Sequence, residues 1–243
     1  MLDPDVIIGT ETWLNSEILS LEVLPSNYNV FKRDRKDSTG GGILIAVKTD
    51  LVCTPIHTSK NYEHLAFKLA VSNSKSIIIS SLFRPPSCTS EVDAKNMVEE
   101  LSKLRADKPK CDLWISVDFN LPDIDWESLT TASSLYPQRM SSEYLNIPSL
   151  WGVEQIDTTP TREDNILDLF FTSPGLIDKC KTIPGVGYHD AVLTDVQSTS
   201  QTAKPQRRII YRWDKGNITQ LKDNTKSFVS SLIVGKYQDI DTG

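Results

Sequence analysis

Trp114-Ile115-Ser116-Val117-Asp118-Phe119-Asn120-Leu121-Pro122-Asp123-Ile124-Asp125-Trp126 opens as an apolar run and closes as a polar loop. The apolar opening reads as a buried strand. Asp118 and Asn120 fall at its end, two residues apart, and period-2 geometry puts both side chains on one face. A carboxylate and an amide there, beside a loop opened by Pro122, describe a polar site at a sheet edge. One would hold a metal or a proton, the other a substrate oxygen. Taken alone, Asp-x-Asn is more often an Asx turn that ends a strand. Three other segments shift that balance.

The chain has 243 residues, enough for one large α/β domain with a short appendage. Hydrophobic content of 39% and charged content of 24% are those of a soluble globular protein. No apolar run reaches the roughly 18 residues of a membrane span, so no membrane partner is expected. Met1-Leu2-Asp3-Pro4-Asp5 lacks the basic and apolar regions of a secretory signal. Cys53, Cys88, Cys111 and Cys180 are scattered, with no Cys-x-x-Cys spacing. They indicate neither zinc nor a disulfide framework and read as reduced thiols of an intracellular protein. A net charge of −6 argues against tight nonspecific DNA binding. It permits transient engagement, because local Lys and Arg residues and bound cations can meet phosphates.

Along the chain, Asp5–Glu11 reads as a buried strand ending in a carboxylate. Phe31–Arg33 is a short strand, 37–42 a tight turn, and Ile43–Val47 a strand leaving it. Leu65–Val71 and Ser76–Leu82 form an antiparallel pair joined at 72–75. Ser90–Arg105 fits a helix capped by Ser90, with Val92, Met97, Val98, Leu101 and Leu104 as its apolar stripe. Gln138–Leu150 is a weaker helix; Ile166–Thr172 and Ala191–Val196 are strands. Mixed strands with few helices predict an α/β two-sheet sandwich, not a regularly alternating parallel sheet. From Ser198 to Pro205 the composition turns polar, as in a linker. Arg207, Arg208 and Arg212 then form a basic patch, followed by an amphipathic stretch, Ile218–Leu232.

Glu11, Asp118, Asn120, Asp168 and His189 all lie at or near expected strand ends. Each has a plain alternative. Glu11 alone is a surface or capping acid, Asp168 in Leu167-Asp168-Leu169 is half of a structural ion pair, and His189 is a junction histidine. His57 and His64 sit in polar, turn-like surroundings and carry little signal. Gathered at one mouth of a sandwich, the five support phosphoester hydrolysis. A carboxylate holds Mg²⁺, a hard ion that takes oxygen ligands, and an aspartate orients the attacking water. An amide steadies a phosphate oxygen, and a histidine stabilises the pentavalent centre.

Six segments in order carry a family resemblance. They are Glu11-Thr12-Trp13-Leu14, Gly40–Val47, Phe83-Arg84-Pro85-Pro86, Asp118–Trp126, Pro160-Thr161-Arg162 with Leu167-Asp168-Leu169, and His189-Asp190-Ala191-Val192. Together they resemble the endonuclease/exonuclease/phosphatase superfamily. More narrowly, they resemble the apurinic-type endonuclease domain of non-LTR (LINE-like, jockey-like) retrotransposon polyproteins. The resemblance covers residues 3–197. It implies a two-sheet sandwich flanked by helices, a first domain at 1–197, and at 198–243 a linker and the start of a connector towards a reverse transcriptase. It further implies Mg²⁺ (or Mn²⁺), DNA as partner and work in the nucleus. Residue by residue, Glu11 would be the metal ligand, Asp118 would activate the water, and Asn120 would bind the scissile phosphate. Asp168 would fix the tautomer of His189, which would contact the phosphate, with Arg84 and Thr161 around the site.

The chain departs from the family pattern at four places. It begins after the family's first strand, Phe83 replaces a tyrosine, Val117 a glycine, and Tyr188 an aspartate beside the histidine. Losing one such carboxylate costs several kcal/mol of transition-state stabilisation. Asp190, in a strand, would point away and not substitute. The function implied is a Mg²⁺-dependent endonuclease that nicks target DNA. The alternatives are a degenerate copy that keeps the fold without cleaving, and a phosphatase-like relative, for which no headgroup-binding cluster is visible.

Overall fold

A computed structural model describes residues 2–35, 40–71, 75–132, 134–185, 187–198, 202 and 216–238. Its central layer is a six-stranded sheet. In spatial order the strands are β10 (Glu154–Gln155), β11 (Asp168–Thr172), β7 (Asp112–Asp118), β6 (Ser76–Phe83), β5 (Glu63–Ala70) and β4 (Cys53–Thr58). Only β6 and β7 run parallel in this sheet. A parallel pair needs a long crossover, and α2 (Glu91–Asp107) supplies it. Ser90 Oγ accepts the Asp93 N–H at 3.2 Å, so the expected cap is formed.

Alternation along the strands divides the core into two layers. Ile78 and Leu82, Leu113, Ile115 and Val117, and Leu169 and Phe171 pack on one side against Met97, Val98 and Leu101 of α2. Met140 and Tyr144 of α3 (Gln138–Leu145) and Trp151 of α4 (Ile147–Trp151) complete this layer. On the other side Leu65, Phe67, Leu69, Ile77, Ile79 and Phe83 meet Ile43, Ile45 and Val47. These last belong to β3 (Ile43–Lys48), the middle strand of a second sheet with β1 (Val6–Thr10) and β2 (Tyr28–Arg33) at its edges. Each fully buried aliphatic or aromatic side chain contributes about 1.5–3 kcal/mol. The result is the expected two-sheet sandwich with helices against one sheet.

Three further pieces complete the first compact unit, Met1–Lys204. β12 (Ile177–Ile183) pairs antiparallel with β13 (Ala191–Val196). β8 (Ile124–Asp125) pairs with β9 (Thr130–Thr131), and α1 (Ser20–Val23) is a single turn. In the second unit, Pro205–Gly243, the described element is α5 (Ile218–Gln238), so the amphipathic stretch is a helix.

Several local expectations change. β1 is half-buried along its whole length, because it is a sheet edge. Val92 is 66% exposed, and Ala94 takes its place on the buried face of α2. The helix expected over Gln138–Leu150 is two helices meeting at Asn146. Pro148 lacks an N–H, and its ring in a continuous helix would meet the carbonyl of Tyr144. β4 and β12 carry mixed polar and apolar residues and gave no strand signal. The 37–39 and 72–74 turn positions and Arg207, Arg208 and Arg212 lie outside the described residues.

Candidate active site

Asp118 ends β7, and Asp168 begins β11; the two are direct cross-strand partners. Val117 and Leu169 point towards the helices, so Asp118 and Asp168 share the opposite face. Like charges placed opposite each other on a ladder repel. Burial, then the charge of Asp168, push the Asp118 carboxyl up to about 7, and the charge of Glu11 pushes in the same direction. His189 and the backbone hydrogen bond from Asn120 oppose that rise.

His189 Nδ1 lies 2.6 Å from Asp168 Oδ2. That hydrogen bond, and the Asp168 charge behind it, raise the imidazole above its ordinary value against the effect of burial. Nδ1–H donating to the carboxylate fixes the tautomer with Nε2 as the remaining ring atom. Thr161, only 1% exposed, braces both partners. Its Oγ1 accepts the Leu167 and Asp168 N–H groups at 3.2 and 3.1 Å. Its carbonyl accepts the Asp190 N–H at 2.7 Å.

Asn120 lies beyond β7 with φ +50°, a left-handed conformation that asparagine tolerates. Its N–H donates to Asp118 Oδ1 at 3.1 Å, an Asx turn, and its Nδ2 donates to the Arg84 carbonyl at 3.2 Å. Arg84 is fully buried. Its Nη1 donates to the Phe119 carbonyl at 2.7 Å and the Asn120 carbonyl at 3.3 Å, and its Nη2 donates to the Cys88 carbonyl. The guanidinium stacks 4.6 Å over Tyr136. A five-donor fork of this kind clamps a loop that lacks ladder partners.

Glu11 follows β1 with φ +48° and is exposed. The next two residues are anchored: Thr12 N–H donates to the Gly42 carbonyl at 3.2 Å and Trp13 N–H to the Gly41 carbonyl at 2.9 Å. Gly42 has φ +87°, and a Cβ there would stand 2.7 Å from Thr12 Oγ1. Glycine is required by both conformation and space. Glu63 pins the same turn, accepting from Gly42 N–H and from Arg35 Nε at 2.8 Å.

The family described as endonuclease-reverse transcriptase matches residues 77–190, the stretch that contains Asp118, Asn120, Asp168 and His189. Among solved structures, the endonuclease domain of TRAS1, a telomere-specific non-LTR retrotransposon, is similar at a TM-score of 0.55. It is 13% identical, over 70% of this chain and 80% of that one. This chain has the endonuclease/exonuclease/phosphatase fold. The human Nocturnin catalytic domain with bound sulfate matches at a TM-score of 0.57 and 12% identity, over 81% of this chain and 82% of that one. A humanized D. rerio TDP2 matches at 0.54 and 13%, over 79% and 84%. No curated protein sequence matches the chain. The resemblance to retrotransposon endonuclease domains read from the six motifs is borne out, and it supports a nuclease-type function.

Within this endonuclease-like fold, Asp118, Asp168 and His189 converge, each with a ligand atom within 4.8 Å of the others. Asn120 is joined to Asp118 by the Asx turn, and Glu11 is close enough to bear on the Asp118 charge. Arg84 and Thr161 brace the site from behind. Some expectations are corrected. Asn120 reaches the site through its left-handed turn and not through strand alternation, because β7 stops at Asp118. Val117 packs among the helices, so its branched side chain does not crowd the carboxylates. Asp190 precedes β13, and its Oδ1 accepts the Gly185 N–H at 3.3 Å. Tyr188 is 93% exposed and leaves the mouth uncovered.

The donor set suits a hard divalent cation. Burial first, and then the charges of Asp168 and Glu11, push the Asp118 carboxyl up to about 7. A divalent cation held by these carboxylate oxygens would offset that charge repulsion. Among the described residues no helix is long and apolar enough to cross a membrane. The four cysteines are free and half-buried.

A second convergence was not foreseen. His57, His64 and Glu100, from β4, β5 and α2, also bring ligand atoms within 4.8 Å of one another. Glu100 lies 43 residues from His57 and 36 from His64 in sequence, a separation with no local signature.

Proposed function

We propose that this chain hydrolyses DNA phosphodiester bonds with Mg²⁺ (or Mn²⁺), nicking a target strand as the endonuclease domain of a non-LTR retrotransposon. In the parent polyprotein a reverse transcriptase would follow, and the DNA target makes the nucleus the site of action. The observation that carries this reading is the opposed pair Asp118 and Asp168, with His189 Nδ1 2.6 Å from Asp168.

Glu11 would hold the cation, close to Asp118. When bound, the cation polarises the phosphoryl oxygen and offsets the charge that develops on it. Asp118, ionised, orients a water and takes its proton as the oxygen attacks phosphorus. The bond from phosphorus to the leaving deoxyribose oxygen breaks, and that oxygen takes a proton from solvent. Asn120 donates to a non-bridging oxygen. His189, whose protonated form the Asp168 hydrogen bond favours, would present Nε2 to the phosphate where negative charge accumulates. Exposed Trp13, anchored on the glycine turn next to Glu11, offers an aromatic face to a nucleotide.

A non-catalytic copy is the second reading. Phe83, buried and in register with Asp118, offers no hydroxyl, and Tyr188 offers no carboxylate. Nicking of supercoiled plasmid with Mg²⁺ or with chelator separates the readings. Weak Mg²⁺-dependent nicking that disappears in Glu11→Ala and His189→Ala is expected. DNA binding without nicking at any Mg²⁺ concentration would establish the second reading instead.

A further inference from the structure

Glu100 on α2 presents one carboxylate oxygen to two imidazoles at once. His57 Nε2 lies 2.9 Å from Oε1 and His64 Nδ1 3.1 Å from the same atom. The rings are tilted, with centroids 4.7 Å apart. The second oxygen, Oε2, accepts from Ser59 Oγ at 3.0 Å. His64 is 1% exposed, and its far nitrogen, Nε2, is 2.9 Å from Ser80 Oγ. Such a set is not needed to hold strands together, because β4 and β5 already share a ladder.

We propose that His57, His64 and Glu100 form a second metal site, for a borderline transition-metal cation of the Zn²⁺ class, separate from the nuclease mouth. Two imidazole nitrogens and one carboxylate oxygen, with a fourth position for water, are the donors that Zn²⁺ takes in open tetrahedral sites. Metal–ligand bonds of about 2.0–2.2 Å set neighbouring donors roughly 3.3 Å apart. The two nitrogens therefore need to retreat from Oε1 by only a few tenths of an ångström. Outer partners that fix the ligands are present. Ser80 can accept from His64 Nε2–H, which leaves Nδ1 bare for the cation, and Ser59 holds the carboxylate. A path in exists as well. His57 is 29% exposed on its side chain, and a cleft lined by His57, Glu100, Lys103 and Asp107 opens beside it. Bound there, the cation would tie the edge strand β4 and its neighbour β5 to α2. The two imidazole donors distinguish this site from the carboxylate-rich mouth, which favours Mg²⁺.

The test titrates the full chain with Zn²⁺ against a chromophoric chelator, in an Asp118→Asn/His189→Ala background that disables the mouth. One equivalent should bind, and His57→Ala in that background should weaken it at least tenfold. Zn²⁺ should raise the Tm of the otherwise unmodified chain, and His57→Ala should abolish the rise while leaving Mg²⁺-dependent nicking unchanged. Glu100→Gln should act like His57→Ala if it folds; His57, at the edge, keeps the test valid if it does not. Co²⁺ in place of Zn²⁺ should give visible ligand-field bands without a near-ultraviolet thiolate band. Loss of binding in the mouth-disabled background, indifference to His57→Ala, or a thiolate band from the cysteines would each overturn the proposal.

Discussion

Asp118 and Asp168 face each other across the β7–β11 ladder, and only Asp168 has an imidazole 2.6 Å away. The two carboxylates are thereby made unequal. Asp168 is hydrogen-bonded to the His189 imidazole, and Asp118, 2% exposed, is pushed up by burial and then by its neighbour. Environments that push two acids apart are how one site supplies both a base and an orienting group.

In metal-free protein this arrangement makes stability depend on pH. The unfolded chain ionises Asp118 near the ordinary carboxylate value of 3.8, the folded chain at about 7. Between these values the folded state holds a proton that the unfolded state has released, so stability falls as pH rises through that window. Asp118→Asn lacks this term. Urea unfolding at pH 4 and pH 8 should show the variant gaining on the wild type by roughly 2–4 kcal/mol. Saturating Mg²⁺ should shrink the difference. Parallel pH profiles for the two proteins would contradict the assignment.

Replacing Asp168 by Asn keeps the shape and removes the charge. The His189 pKa should fall towards its ordinary value, because the Asp168 hydrogen bond and charge are what raise it. The Asp118 pKa should fall too, since Asp168 is its largest electrostatic repulsion. NMR titration of the imidazole and carboxylate signals reads both shifts. Any nicking should drop by about 10²-fold or more.

Arg84 should prove structural in origin and functional in effect. Arg84→Met strips the donors from the carbonyls of Phe119, Asn120 and Cys88. Buried carbonyls left without donors cost about 1–3 kcal/mol each, so denaturant melts should show a loss of roughly 3 kcal/mol or more. Arg84→Lys should not restore it, because a single ammonium cannot span the fork.

Tyr188 should tolerate change. At 93% exposure, Tyr188→Asp should alter stability by no more than about 0.5 kcal/mol. A carboxylate beside His189 should nevertheless raise the nicking rate, by about tenfold if it strengthens a single electrostatic contact. Tyr188→Ala serves as the control and should leave the rate unchanged. Equal rates for all three proteins would remove Tyr188 from any account of weak activity.

The layers of this protein were determined locally. Apolar alternation in Leu65–Leu69, Ile77–Phe83 and Leu113–Val117 is enough to place a doubly buried central sheet, because a strand can satisfy both faces only between two layers. Ser90 and the spacing of Met97, Val98 and Leu101 likewise specify α2 from its own residues. Ordered motifs also marked Glu11, Asp118, Asn120, Asp168 and His189 as one set. Tertiary structure decided the rest. Strand register set Asp168 opposite Asp118 and turned Val117 away from them. The break at Asn146, the left-handed turn at Asn120 and the clamp of Arg84 depend on partners far along the chain. His57, His64 and Glu100 are the clearest case. No spacing announces them, because a cluster drawn from two strands and a helix acquires its chemistry only when the chain brings distant side chains within bonding distance.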